Sequence, residues 1–286
     1  MSLVTPATDV PTIRRARARE LSALAALFVL TIRQHTHGRR LIVLGLLYAL
    51  PCGLAILTRS LPRPAPSDAL ETALIFHLIP HGLAPLTALL YAAGVIRDEV
   101  EEQTLTYLLL RSMPRWALYV TKLAATLCVT TVLITVATTA LYVATYWGTP
   151  DASEVITGRL PRVVAAFALA QVGYCALFGF VGMVTRRSLI AGVAYIVAIE
   201  GVLANIDFVG RTLTVVYYVR TLIVRWLDLP ERSLNRLLRD WSLNLEKVPS
   251  AADCAYTLLG FGLVVTLLTA LWFARSEFRV KTPEGS

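Results

Sequence analysis

Glu200 is a lone carboxylate in a run of otherwise apolar residues, within Arg186 to Gly201, RRSLIAGVAYIVAIEG. An ionisable group inside a membrane helix is costly, and it marks a functional position by default. One role is lining or gating a pathway, with Asn205, Gln171 and Tyr195 as polar company. The other is an interhelical hydrogen bond that holds a bundle together. The residues alone leave both open. His77 and His81 stand four apart, so a helix sets both imidazoles on one face, as a metal pair requires. No H-E-x-x-H occurs, Pro80 falls in the turn between them, and no third ligand is near in sequence. Cavity lining or a packing contact is therefore the favoured role.

Two further chemistries fail on single positions. Glu101-Glu102 opens the E-E-x-x-x-R pattern of an intramembrane protease, but the closing position is Thr106. No G-x-x-x-x-G-K-[ST] cradle for nucleotide phosphates exists, because no glycine is followed by lysine. Any ATP that drives this chain must bind another polypeptide. Cys52, Cys128, Cys175 and Cys254 form no C-x-x-C pair and lie in or beside apolar runs, as small packing residues do.

The elements that position these groups are membrane helices. Of 286 residues, 56% are hydrophobic and 16% charged, where a soluble domain carries roughly a quarter. The net charge of +8 flanks the apolar runs, which fits topology and anionic lipids. No basic run interleaved with aromatics points to nucleic acid. The expected fold is all-α and polytopic. Residues 1–20 form a cytoplasmic tail. Leu21 to Ile32 is too short to span, about 20 residues being needed, and suits an interfacial elbow helix, with a basic turn following to residue 40. A single six-helix domain covers 21–286. Its spans run from about Leu41 to Thr58, Thr72 to Ile96, Trp116 to Trp147, Val163 to Thr185, Ser188 to Ile206 and Ala251 to Ala274. Lys122 is expected to snorkel to the headgroups from the third span.

Sixteen of the lysines and arginines fall on the side of the N-terminus and eleven on the other, seven of those in one long loop. Both termini are therefore expected in the cytoplasm. That loop, 207–250, contains two helical patterns. A seventh span at 211–228 would bury Arg220, at a cost of about 2.5 to 3.5 kcal/mol. Two outward-facing helices, interfacial or dipping into the membrane, fit better.

One polar stretch, Arg97 to Lys122, organises the rest. Asp98, Glu99, Glu101 and Glu102 form an acidic head, and Arg111, Arg115 and Lys122 a basic tail, as a helix dipole favours. Leu105, Leu108 and Leu109 fall on one face, and Pro114 ends the segment. The alternatives are a short amphipathic helix at the cytoplasmic surface, 97–115, and a solvated connecting loop.

The pattern Ile96, Glu99, Glu101, Thr104, Leu105, Leu108, Leu109, then Pro114, Lys122 and Leu123, resembles the exporter-type ABC permeases, the ABC-two family. The basic elbow, the six-span layout and the fifth span with its Glu200-Gly201 resemble the family too. Ala92-Ala93-Gly94 matches its Gly-rich lead-in only in part, and a large extracellular domain is absent. The resemblance implies an exporter pathway formed with a second copy or a sister permease. It implies a separate ABC ATPase subunit carrying ATP and Mg, with no cofactor in this chain. The 97–115 helix would couple to that ATPase through its leucine edge, and Glu99, Glu101, Glu102, Arg111 and Arg115 would orient it by charge. A multi-pass protein of the bacterial inner membrane is the setting implied. The competing function is a membrane scaffold or sensor that recruits a cytoplasmic partner without moving cargo. The apolar spans favour a hydrophobic or amphipathic cargo over a polar one.

Overall fold

Helices account for nearly all of the regular structure in the computed structural model, which describes residues 10–62, 65–101, 114–206, 209–246 and 248–276. Among them there is no β-strand. Six helices are long and apolar enough to cross a membrane: Arg39–Arg59, Ser67–Val100, Arg115–Tyr146, Ala152–Val184, Ser188–Asn205 and Ala251–Arg275. These are the six expected spans. Because they alternate in direction, the first span begins at the same end at which the second and fourth finish. That end is called the near end below, and the opposite one the far end.

A leading helix, Val10–His37, precedes the first span. It takes in the expected Leu21 to Ile32 run and packs along the third span. Leu27 and Thr31 are buried there, and His35 Nε2 lies 2.9 Å from Thr126 Oγ1. The first span continues through Pro51, which is buried.

The second span is not a uniform α-helix. Ser67–Leu70 is α-helical, Glu71–Leu83 is wound as a π-helix, and Ala84–Ala92 returns to α. Pro80 lies inside the wide section and has no N–H to give. Pro85 follows at the start of the next α section and likewise has no N–H to give. The fourth span starts well before Val163. It begins at Ala152 and passes through a second π stretch, Val155–Arg159, before Leu160–Val184. Arg159 can lie in this helix because its charge is met inside the protein, by Glu71.

Small residues set the closest approaches. A Cβ on Gly182 would stand 2.2 Å from the Ala93 carbonyl oxygen, so the fourth span touches the backbone of the second. The sixth span opens with a capping box. Ser250 Oγ accepts from the Asp253 N–H at 3.2 Å, and the Asp253 carboxylate accepts from the Ser250 N–H at 3.3 Å.

Among its described residues, the segment between the fifth and sixth spans holds two α-helices, Val215–Trp226 and Glu231–Asp240, after a short 3-10 turn, Val209–Leu213. The first has 12 residues, too few for a seventh span. It does not lie on the surface either. Val216, Val219, Thr221, Leu222 and Ile223 are fully buried, and the helix packs on the fourth and sixth spans. The chain turns back into the bundle before it leaves again.

Candidate functional site

Glu200 fixes where that inserted helix begins. An α-helix starts with N–H groups that have no intrahelical acceptor. Here Glu200 Oε1 accepts from the Val215 N–H at 3.1 Å, and Oε2 from the Val216 N–H at 3.0 Å. Thr214 Oγ1 takes the next donor, the Tyr217 N–H, at 3.3 Å. The negative carboxylate also suits the positive end of the helix dipole. Tyr195 donates its hydroxyl to Glu200 Oε1 at 2.9 Å. Phe178 stands edge-on to Tyr195.

Of the four pathway candidates, the structure joins Glu200 with Tyr195 only. Asn205 is bonded to Arg220 instead, and Gln171 donates to the Ala84 carbonyl at 3.0 Å. Glu200 therefore makes an interhelical hydrogen bond, one of the two roles its sequence leaves open. Its donors are a helix terminus and Tyr195, and not the Asn205 or Gln171 amide.

Arg220, the residue that argued against a seventh span, is 2% exposed on the inserted helix. It donates to the Ala204 carbonyl at 3.1 Å and to Asn205 Oδ1 at 2.7 Å, both at the end of the fifth span. It also reaches His81 Nε2, and its guanidinium lies over the Trp241 ring. His81 Nδ1 sits 2.7 Å from the His77 carbonyl oxygen. The imidazole is therefore neutral, giving its Nδ1 proton to the backbone and accepting from Arg220. His77 and His81 stack at 6.1 Å. Among the described residues, no group of three or more His, Cys, Asp or Glu is placed to hold a metal.

Glu200 is not the only carboxylate deep in a span. Glu71 is 2% exposed near the start of the second. It accepts from Tyr142 at 2.9 Å and Tyr146 at 2.6 Å, and pairs with Arg159 at 3.1 Å. This far-end knot joins the second, third and fourth spans. In sequence Glu71 stands at the edge of an apolar run and gives no sign of burial. The glutamate–tyrosine partnership comes from helix packing.

The polar stretch begins at the near end with a short helix, Arg97–Glu101. Asp98 and Glu99 are turned toward neighbouring spans. Glu99 pairs with Lys122 at 2.5 Å, and both residues are buried. Lys122 does not snorkel, because its ammonium has a carboxylate inside the protein. Glu99 for the same reason presents no free charge to a docking partner. Arg40, at the start of the first span, grips Asp98 with both nitrogens, at 2.8 and 2.9 Å. The segment leaving the second span is thus bound to the first and third spans. Pro114 caps the third span, and the exposed Arg115 donates to the Ser276 carbonyl at 3.0 Å, at the end of the sixth. Glu101 ends the short helix. Glu102, Thr104, Leu105, Leu108, Leu109 and Arg111, the expected leucine edge and its flanking charges, lie outside the described residues.

A polar cavity of about 520 Å³ opens above these pairs, lined in part by His35, Arg40, Tyr91, Asp98, Glu99 and Lys122. Burial holds His35 down to about 4, the Arg40 and Lys122 charges add to this, and Asp98 opposes it. An apolar groove of about 390 Å³ runs between the third, fourth and sixth spans, past Leu123, Leu127, Val172, Cys175, Leu259 and Thr266.

Comparison with known proteins adds nothing to this chemistry: no family model matches the chain, and no curated protein is similar to it.

Proposed function

We propose that the chain is the transmembrane permease subunit of an ATP-driven exporter of the ABC-two type. It forms the pathway with a second copy or a sister permease, and it couples to a separate ATPase through the 97–115 segment. The observation that carries the reading is the double clamp at the root of that segment. Asp98 is bound to Arg40 and Glu99 to Lys122, so a displacement of the short helix acts on three spans at once. A connecting loop with no mechanical task has no need of a buried ion pair at its base. Coupling of this kind requires contacts that differ between two states. The clamps supply the rigid side of the joint, and the Leu105, Leu108 and Leu109 edge supplies the side that meets the ATPase. ATP and Mg belong to that partner. The leading helix acts as the elbow, both termini are cytoplasmic, and the setting is a bacterial inner membrane. The apolar groove by Leu127 and Leu259 suits a hydrophobic or amphipathic cargo.

The test is capture of the intact chain from its native membrane, followed by a search for a bound ATPase. A Glu101→Lys, Leu105→Asp double variant is run beside it. The reading expects an ATPase with the wild type and none with the variant. Absence of an ATPase from the wild type in mild detergent rejects it. An ATPase that binds but shows no cargo-stimulated hydrolysis in liposomes favours the scaffold function instead.

A further inference from the structure

Four arginines surround one cavity at the near end. It has a volume of about 320 Å³ and is lined by Arg40, Arg97, Arg186 and Arg187, with Asp98 the only carboxylate among the described residues. The arginines come from three separate places: the start of the first span, the end of the second, and the two-residue turn between the fourth and fifth. Asp98 is already engaged by Arg40. Among the described residues, Arg186 and Arg187 have no hydrogen-bond or ion-pair partner, and both are exposed. Two neighbouring guanidinium groups, Arg186 and Arg187, with no carboxylate partner among the described residues, repel one another and favour an anion between them.

The floor of the cavity has the same polarity. Ser188 lines it and is the first residue of the Ser188–Tyr195 helix, and no side chain caps that helix. Its first backbone donors point toward the turn, as at other helix starts that receive phosphate. The wall beside it is apolar. Leu189 and Ile190 line the cavity rim. Leu189, Val193 and Val197 form an exposed stripe four residues apart up the fifth span. A charged bowl at the end of a span, continuous with an apolar stripe along it, matches a molecule with a phosphate head and an acyl tail.

We propose that this cavity is a phosphate-binding site occupied by the headgroup of an anionic phospholipid. Arg186 and Arg187 hold the phosphate with Arg97, and the acyl chain lies on Leu189, Val193 and Val197. The site is independent of the permease function and stands or falls separately from it.

The experiment is native mass spectrometry of the full-length protein, delipidated and then titrated with phosphatidylglycerol or phosphatidylcholine. Each titration is repeated with 20 mM (about; chosen to exceed weak anion affinities) inorganic phosphate. An Arg186→Gln, Arg187→Gln variant loses two charges, each worth about a fivefold factor near an anionic lipid, so the expected loss of phosphatidylglycerol binding is about 25-fold. An Arg186→Lys, Arg187→Lys variant keeps the charge and retains most of the affinity. An Arg232→Gln, Arg236→Gln variant, altered in the far segment, behaves as wild type. Competition by inorganic phosphate without any lipid preference assigns the phosphate site to a soluble anion and removes the lipid from it. Equal retention of the two lipids with no phosphate effect overturns the proposal. So does equal loss of binding in the far-segment control.

Discussion

The buried pair of Glu99 and Lys122 makes a quantitative demand. Their side chains are only 10% and 5% exposed, and their charged atoms meet at 2.5 Å. Removing one partner from such a pair leaves a charge in a site that solvates it poorly, which costs about 3–5 kcal/mol. Replacing both with apolar residues removes both the attraction and the desolvation penalty, and is about neutral. Glu99→Leu and Lys122→Met are therefore each expected to destabilise by about 3–5 kcal/mol, and the double variant by no more than about 1 kcal/mol. The coupling energy from the cycle is then several kcal/mol, well above the scatter of about 0.5 kcal/mol seen between independent sites. The assay is equilibrium unfolding in mixed dodecyl maltoside and SDS micelles, followed by the fluorescence of the five tryptophans. A cost below about 1 kcal/mol for either single change is the value of a solvent-exposed pair. That result, or losses that simply add in the double variant, would refute burial as the source of the interaction.

Three other outcomes are expected. Glu200→Gln turns a donor group toward one of the two backbone N–H groups it now accepts from, and should cost about 1–3 kcal/mol; hydrogen exchange at Val215 and Val216 should accelerate, and unchanged exchange would exclude the cap. Gly182→Ala meets the Ala93 backbone while Gly192→Ala meets only the Leu89 side chain, so the first should lose about 1–3 kcal/mol and the second less; the reverse order in the same unfolding assay would contradict this packing. His35, near 4 when folded and about 6.5 when unfolded, binds more protons in the unfolded state between those values. Stability should therefore fall as pH drops from about 6.5 to about 4, by at most about 3.4 kcal/mol. His35→Asn should flatten that stretch of the profile; an unchanged slope would assign the acid sensitivity to other groups.

Hydropathy and length made the six spans legible, because about 20 apolar residues in a row have few other uses. The inserted helix was legible only as a pattern. Twelve residues with Arg220 among them suggested an outward-facing helix, interfacial or dipping into the membrane, while the structure buries nine of the twelve and gives that guanidinium acceptors on Ala204 and Asn205. The acidic cluster of the 97–115 stretch was visible as charge, but its direction was not. The partner of Glu99 lies 23 residues on and that of Asp98 lies 58 residues back, on other helices, and local periodicity carries no record of either. Glu71 escaped notice for the same reason. A carboxylate at the margin of an apolar run is usually wetted, and only the approach of Tyr142 and Tyr146 makes this one part of the interior.

The cap that Glu200 provides also sets an order of events during synthesis. The carboxylate leaves the ribosome ahead of its acceptor-seeking partners, which follow 15 and 16 residues later. At about 5–20 residues per second, that gap is on the order of one to a few seconds. Over that interval Glu200 has only the Tyr195 hydroxyl of its own span as a donor, which disfavours release of that span into lipid. The fifth span and the inserted helix are therefore expected to settle into the bilayer as one unit, since each supplies what the other's polar groups lack.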